Sequence, residues 1–191
     1  FNAMRERSAS HFGNFYNYFL KSCTRILLPV AFVGALILAF SGTPQTFKGK
    51  DTIITMQGDT VQVSRGPVAG MVAIKQAGTN GGGWFGVNSS HPLENPDYLT
   101  NAVENILILI IPMALVFALG YYLNRRKLAW MIFGVMTVGF LLLSLPSIYS
   151  EMQPSHVAQQ LGIDGSAGNM EGKETRLGAA ASALWGISTT A

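Results

Sequence analysis

The chain has 191 residues, of which 49% are hydrophobic and only 12% are charged, against about 25% charged residues in an ordinary soluble domain. This composition argues against a nucleic-acid-binding protein and against a disordered linker. The single cysteine, Cys23, excludes a disulfide framework. The net charge of +3 is small, so the distribution of the charges is more informative than their sum. Long blocks without charges favour an integral membrane protein.

Three apolar segments are long enough to cross a bilayer. A spanning helix needs about 17 to 25 mostly apolar residues, because a helix rises about 1.5 Å per residue and the hydrocarbon core is about 30 Å thick. The sequence predicts spans over 24–41, 105–123 and 128–149. Polar and aromatic residues precede the first segment and no small-residue cleavage site follows it, which argues against a signal peptide. We predict an all-α membrane protein.

The basic residues predict the orientation of these spans. The segments before the first span and between the second and third, together with Arg25 at the start of the first span, carry seven basic residues and one acid. The rest of the chain carries six basic residues and nine acids. Lys and Arg are enriched in cytoplasmic loops. We therefore expect 1–23 and 124–127 to be cytoplasmic, and 42–65 and 150–173 to form outer loops.

A half-length apolar segment lies between the first two spans. Its residues, 67–77, would form a helix of roughly 16 Å, about half of the bilayer thickness. Such a helix can enter the membrane and return only if the returning backbone is buried in protein or lines a water-filled cavity. A short amphipathic helix outside the membrane is the alternative. Pro67 suits the first turn, where its missing N–H costs nothing.

A glycine-rich turn follows this short helix. The nine residues 78–86, GTNGGGWFG, include five glycines, which allow backbone dihedrals that side chains forbid. Backbone carbonyls can replace the water around a cation in a narrow pore, and the negative end of the preceding helix would add to their field. A flexible outer turn remains an alternative. Lys75 would either cap the helix carbonyls or lie beside the ion path. A dinucleotide-binding loop is disfavoured, since no strand precedes the turn.

The pattern then begins again after the third span. A polar segment is followed by a second short apolar stretch, 177–187, which leads into 188–191. Span, short helix and polar turn recur as a weak internal repeat. We therefore expect the sequence to be part of a longer chain.

Residues 66–96, GPVAGMVAIKQAGTNGGGWFGVNSSHPLENP, closely resemble the second pore loop of the KdpA family, the potassium-binding subunits of bacterial Kdp potassium-transporting ATPases. Residues 169–178 resemble the entry to the third pore helix of that family, and 188–191 resemble the approach to its third filter strand. The resemblance implies span–pore-helix–span repeats of the potassium-channel-like superfamily, incomplete in this chain. It implies a pore helix over 66–77 with a filter turn over 78–86, and a second pore helix over 175–187 with a filter start over 188–191.

The resemblance also implies the site residues and the partners. Potassium, the transported ligand, would bind a selectivity filter at Thr79, Asn80, Gly81 and Gly82, with Thr189 and Thr190 at the approach of the next filter strand. The family assembles with KdpB, the P-type ATPase subunit that uses ATP, and with KdpC and KdpF in the inner membrane. The sequence lacks the phosphorylated D-K-T-G motif, so no catalytic site is expected in it.

Two departures from the common family pattern put the exit of the turn in question. Trp84 and Gly86 stand where Phe and Asn are frequent in the family. A passive channel or a secondary potassium transporter of the same superfamily remains an alternative function. A non-conducting scaffold, in which the glycines only permit close helix packing, is another.

Overall fold

The computed structural model describes residues 1–6, 8, 11–79, 83–162 and 164–190. The chain is predominantly helical, as predicted. Its helices are α1 (Asn2–Arg5), α2 (Phe15–Ser22), α3 (Leu28–Phe40), α4 (Val68–Ala77), α5 (Tyr98–Tyr122), α6 (Arg126–Glu151), α7 (His156–Gln160) and α8 (Gly178–Thr190), and its strands are β1 (Lys50–Ile54) and β2 (Thr60–Ser64). Two compact units are formed, one by Arg25–Leu107 and the other by Phe1–Thr24 with Ile108–Ala191.

Among the residues that the structure describes, three helices are long and apolar enough to cross a membrane, which confirms the sequence prediction. They cover Phe15–Phe40, Tyr98–Tyr122 and Arg126–Glu151. Each begins before the apolar segment that predicted it, because a helix keeps its backbone hydrogen bonds satisfied as it continues into polar flanks. At most 22% of the most apolar window of any of the three is buried inside the structure. Their apolar surfaces are therefore suited to contact with lipid.

The first of these helices widens before a proline. Cys23–Leu27 forms a π-helical segment between α2 and α3, and Pro29 lies in the first turn of α3. Proline has no N–H to donate and its ring crowds the carbonyl four residues earlier, here that of Arg25. A wider turn accommodates both effects, so the helix continues through the proline.

The unit formed by Arg25–Leu107 has its core between α3 and α4. Small side chains of α4 allow close contact with α3, and Leu38 is fully buried in the cluster. The fully buried members of this core are Leu38, Val68, Ala69, Val72 and Ala73. The short helix is thus held against a span by apolar packing along most of its length.

The segment predicted as an outer loop, 42–65, contains a β-hairpin. Strands β1 and β2 pair antiparallel with Lys50 opposite Ser64 and Ile54 opposite Thr60, and Gly58 has a φ of +90° in the connecting turn. Both strands contain β-branched residues, which favour strands, and these alternate with polar residues in β2. At the base of the hairpin an isolated bridge joins Gln45 to Pro67.

In the other unit a tight turn joins α5 to α6. Asn124 adopts a φ of +55°, and the Arg125 N–H donates to the Gly120 carbonyl at 2.8 Å. A Cβ atom on Gly120 would overlap the Cβ of Ala129. Glycine at this position therefore permits the close approach of α5 and α6. Residues 126 and 127, predicted as part of the loop, belong to the first turn of α6.

The polar segment after α6 is tied back to the end of that helix. Lys173 Nζ lies 2.6 Å from Glu151 Oε2, and Asn169 Nδ2 donates to the same oxygen at 2.8 Å. Helix α8 follows and packs against α6. The loop predicted over 150–173 is therefore closed on itself beside α6.

Candidate functional site

The N-terminus of α4 is anchored by the segment that precedes the hairpin. A helix leaves its first N–H groups without intrahelical acceptors. Here Val68 N donates to Gly66 O at 2.8 Å, Ala69 N donates to Pro44 O at 3.0 Å, and Gly70 N donates to Gln45 Oε1 at 2.9 Å. Pro67 occupies the cap position directly before the helix rather than its first turn. The positive end of α4 is thus satisfied by protein groups.

The C-terminus of α4 ends at the start of the candidate filter. Gly78 N donates to Ile74 O at 2.9 Å, and Thr79 N donates to Gln76 O at 3.1 Å. Thr79 then turns into the left-handed region with a φ of +59°, a conformation that is uncommon for a residue with a Cβ. The helix therefore ends at Ala77, shortly before the glycine run, which is the three consecutive glycines 81–83.

Of the predicted filter residues, Thr79 is exposed at the end of α4. Asn80, Gly81 and Gly82 lie outside the described residues, so their assignment stays a prediction. Described structure resumes at Gly83.

The buried face of α4 carries a polar pair. Gln76 Nε2 donates to Glu104 Oε2 of α5 at 2.8 Å, and both side chains are fully buried. Although Glu104 lies in the first third of α5, its side chain is enclosed by protein rather than exposed. Buried carboxylates require hydrogen-bond donors or cations nearby, and the Gln76 amide supplies one.

Lys75 links the last turn of α4 to the segment after the glycine run. Its Nζ donates to Ser89 Oγ at 2.7 Å, which is neither of the two roles predicted for it. Burial lowers the pKa of Lys75, whereas attraction by Glu104 and by Glu94 acts in the opposite direction. The hydrogen bond to Ser89 thus joins the last turn of α4 to the segment that follows Gly83.

Glu94 holds the backbone that follows the glycine run. Its Oε1 accepts the N–H of Trp84 in a short hydrogen bond and the N–H of Phe85 at 3.2 Å. The Glu94 side chain is fully buried. Glu94 therefore bonds to the backbone of the turn and is not a solvated loop residue.

The aromatic residues of the turn pack as wedges. Phe85 lies against the α3–α4 core and stacks on His91, with ring centroids 4.2 Å apart. The Trp84 ring covers Gly66, where a Cβ atom would overlap it. At Gly86 the backbone is extended, with a φ of 171°, and no neighbouring atom lies within 4 Å of a Cβ built there. The exit of the turn therefore does not require glycine at this position.

The start of α5 is capped by polar residues that follow Glu94. Asp97 Oδ1 accepts the Thr100 N–H at 2.8 Å, and Thr100 Oγ1 donates to Asn95 Oδ1 at 3.0 Å. This is the usual way of satisfying a helix N-terminus. Asp97 thus has a structural role as the cap of α5.

The residues predicted at the approach of the next filter strand, Thr189 and Thr190, lie in the last turn of α8 rather than after it. Their hydroxyls donate back to helix carbonyls: Thr189 Oγ1 to Trp185 O at 3.0 Å, and Thr190 Oγ1 to Gly186 O at 2.9 Å. Such bonds let threonine continue a helix. The predicted second pore helix over 175–187 is therefore displaced to Gly178–Thr190, and the role of its two threonines stays a prediction.

Sequence reasoning missed the anchoring roles of Gln45 and Glu94. Each acts on a segment that is distant in sequence, so periodicity and spacing do not reveal it. The signal that was available for Glu94 is its place between two prolines, in H-P-L-E-N-P, where the chain is too constrained for a freely solvated loop.

Comparison with known proteins identifies the family. The profile described as "KdpA: Potassium-transporting ATPase A subunit" matches residues 1–191. The chain belongs to the KdpA family. Membership confirms the resemblance carried by residues 66–96 and the assignment to a membrane protein.

Relatives of the KdpA family cover nearly the whole chain. Two of them are named "Potassium-transporting ATPase potassium-binding subunit". The protein from Flavobacterium psychrophilum is 60% identical over 190 residues, and the protein from Parabacteroides distasonis is 54% identical over 188 residues. Their namesake from Caldanaerobacter subterraneus is 41% identical over 186 residues. The matches cover 100%, 98% and 97% of this chain. The chain spans 33% of the length of each of these relatives.

Proposed function

We propose that this chain is part of the potassium-binding subunit of an ATP-driven potassium import system. In this proposal, potassium from outside the cytoplasm binds a filter formed with Thr79, Asn80, Gly81 and Gly82. It then passes through an intramembrane tunnel to KdpB, the subunit that uses ATP. KdpC and KdpF complete the complex in the inner membrane, with 1–23 and 124–127 facing the cytoplasm. The names of the relatives and the KdpA family membership support the transported ion.

One structural observation carries the proposal. Helix α4 has only ten residues, is buried against α3, and ends at Ala77, two residues before the left-handed Thr79. A helix of about 15 Å cannot span a bilayer of about 30 Å, and its C-terminal carbonyls carry partial negative charge. This arrangement suits a re-entrant loop that presents oxygen atoms to a cation.

The filter assignment is tested by Gly81→Ser in the full-length subunit assembled with its partners in cells. We expect a higher half-saturating potassium concentration and weaker discrimination against sodium in uptake of radiolabelled ions. Gly49→Ser is the matched control, because no atom lies within 4 Å of a Cβ at Gly49 in the loop before β1. Unchanged affinity and unchanged discrimination in Gly81→Ser would refute the assignment.

The same uptake assay separates the alternative functions. A passive channel or secondary transporter would continue to move potassium without ATP or without the ATPase subunit. A scaffold would show no preference for potassium over sodium when the ions are compared for protection of the complex against thermal denaturation. Uptake that requires both ATP and KdpB, together with potassium-specific protection, is the expected result.

A further inference from the structure

The carboxylate of Glu94 receives two successive backbone N–H groups at one oxygen. These N–H groups belong to Trp84 and Phe85. The two residues lie shortly after Gly82, the last residue of the proposed filter. The carboxylate is fully buried, and burial of a charge is unfavourable unless donors compensate it. Backbone N–H groups commonly find neutral carbonyl acceptors instead. A buried charge at this place therefore calls for a specific reason.

The two hydrogen bonds fix the direction of two peptide units. In a planar trans peptide the N–H and the preceding C=O point in opposite directions. Since the N–H groups of Trp84 and Phe85 both point at Glu94, the carbonyls of Gly83 and Trp84 both point away from it. Consecutive carbonyls with one common direction are what a cation filter requires. Glu94 imposes this alignment on the two peptide units that follow the proposed filter.

Gly83 is shaped to admit the carboxylate. A Cβ atom at this position would overlap Gly86 O and would lie 2.5 Å from Glu94 Oε1 and 3.0 Å from Glu94 Oε2. Side chains do not tolerate the first two of these contacts. Glycine at 83 is therefore needed both for the Gly86 carbonyl to approach and for Glu94 to reach the backbone, and this explains Gly83 without a contribution to ion binding.

Glu94 is itself held from several sides. Its N–H donates to His91 O at 2.9 Å, and its carbonyl accepts Thr43 Oγ1, beyond the end of α3, at 3.2 Å. The ammonium group of Lys75 attracts the carboxylate from α4. The side chain can therefore transmit the position of the surrounding helices to the backbone of the turn.

We propose that Glu94 is a positioning residue of the potassium filter, which holds the peptide units 83–84 and 84–85 directly beyond residues 79–82 and thereby sets ion discrimination without contacting the ion. This inference rests on the proposed function. It predicts that charge at Glu94 governs affinity and discrimination more than assembly or maximal rate.

The decisive variant is Glu94→Gln in the full-length subunit within the assembled transporter. The amide keeps the size of the side chain and removes the charge. We expect the half-saturating potassium concentration to rise roughly tenfold or more, as for the loss of a charge-assisted hydrogen bond, and discrimination against sodium and rubidium to weaken. Maximal uptake and the amount of complex should be retained. Glu94→Asp, which keeps the charge, should restore part of the discrimination.

A second variant disturbs the contact between Glu94 and the turn by a change in the turn itself. Gly83→Ala displaces the carboxylate and should change affinity and discrimination in the same direction as Glu94→Gln, and the double variant should be little worse than the stronger single one. Gly86→Ala is the matched control in the same turn, because its backbone is extended and the space around it is open. Asp59→Asn controls for loss of a carboxylate, since Asp59 is exposed in the hairpin.

Two results would overturn the inference. One is wild-type affinity and discrimination in both Glu94→Gln and Gly83→Ala. The other is a loss of assembled complex and maximal rate with unchanged affinity and discrimination, which would make Glu94 structural only. If Gly81→Ser alters discrimination while Glu94→Gln does not, this inference alone fails. If Gly81→Ser also has no effect, the proposed function fails.

Discussion

Gln76 in α4 and Glu104 in α5 form a hydrogen-bonded pair of fully buried side chains, with 2.8 Å between Nε2 and Oε2. The pair joins the short helix to a span on the side where α4 is otherwise packed by apolar residues. A hydrogen bond is directional, whereas apolar packing is not. The buried pair therefore fixes the rotation of α4 about its own axis more strictly than the apolar contacts do. The pair therefore contributes to the direction in which the chain leaves α4 at Thr79.

We expect Gln76→Leu to destabilise the subunit by about 1 to 3 kcal/mol, because Glu104 loses a donor in a buried environment. The measurement is thermal unfolding of the purified full-length complex in detergent. Met71→Leu is the matched control, since Met71 lies on the exposed face of the same helix. Equal unfolding temperatures for the two variants would contradict a role for the pair.

Gly120→Ala tests the close contact of α5 with α6. The added methyl group would overlap the Cβ of Ala129, and overpacking of this kind typically costs about 1 to 3 kcal/mol. Gly134→Ala in α6 meets no atom within 4 Å and should be neutral or stabilising, because alanine favours helices. The yield and thermal stability of the folded subunit provide the measurement.

The contact itself is verified by a compensating change. Gly120→Ala combined with Ala129→Gly removes the overlapping methyl group from the other side, so most of the lost stability should return. A double variant as unstable as Gly120→Ala alone would show that the loss arises elsewhere.

Lys173→Met is expected to loosen the polar segment 152–173, which follows α6. The variant removes the ion pair between Lys173 and Glu151, whose side chains are 15% and 32% exposed. Ion pairs with this degree of exposure contribute up to about 1 kcal/mol to stability. The segment 152–173 should then be cleaved faster in limited proteolysis of the full-length protein. Lys48→Met, on the exposed loop before the hairpin, should leave cleavage in that segment unchanged.

Asn169→Ala removes the second donor to the same carboxylate oxygen of Glu151. Because both donors share one acceptor, their effects on proteolysis should not add. Additive acceleration would indicate that Lys173 and Asn169 hold the segment independently.

The helical part of the fold follows from composition because lipid leaves few choices to a backbone. The three long apolar helices were predictable, and the short helix predicted over 66–77 is found at Val68–Ala77. The hairpin between α3 and α4 was not predicted, since its strands are short, largely exposed and polar enough to resemble a loop. Alternation around Val61 and Val63 was its only local sign.

The candidate site was predictable only in part. The end of α4 and its junction with the glycine run follow from local pattern at Gly78 and Thr79. The buried positions of Glu94 and Glu104 do not, because each depends on partners from segments far away in the sequence. A single sequence gives the charge of such a residue and its neighbours along the chain, but it does not give the partner that encloses it.

The bridge between Gln45 and Pro67 brings the two ends of the hairpin segment together, and this narrow base is the neck of the segment. Because Pro44 and Gln45 also bind the first turn of α4, the entrance of that helix is fixed below the neck. The two-stranded arm beyond it is therefore a separable module. We therefore expect changes in its length and composition to leave the geometry of the short helix unchanged.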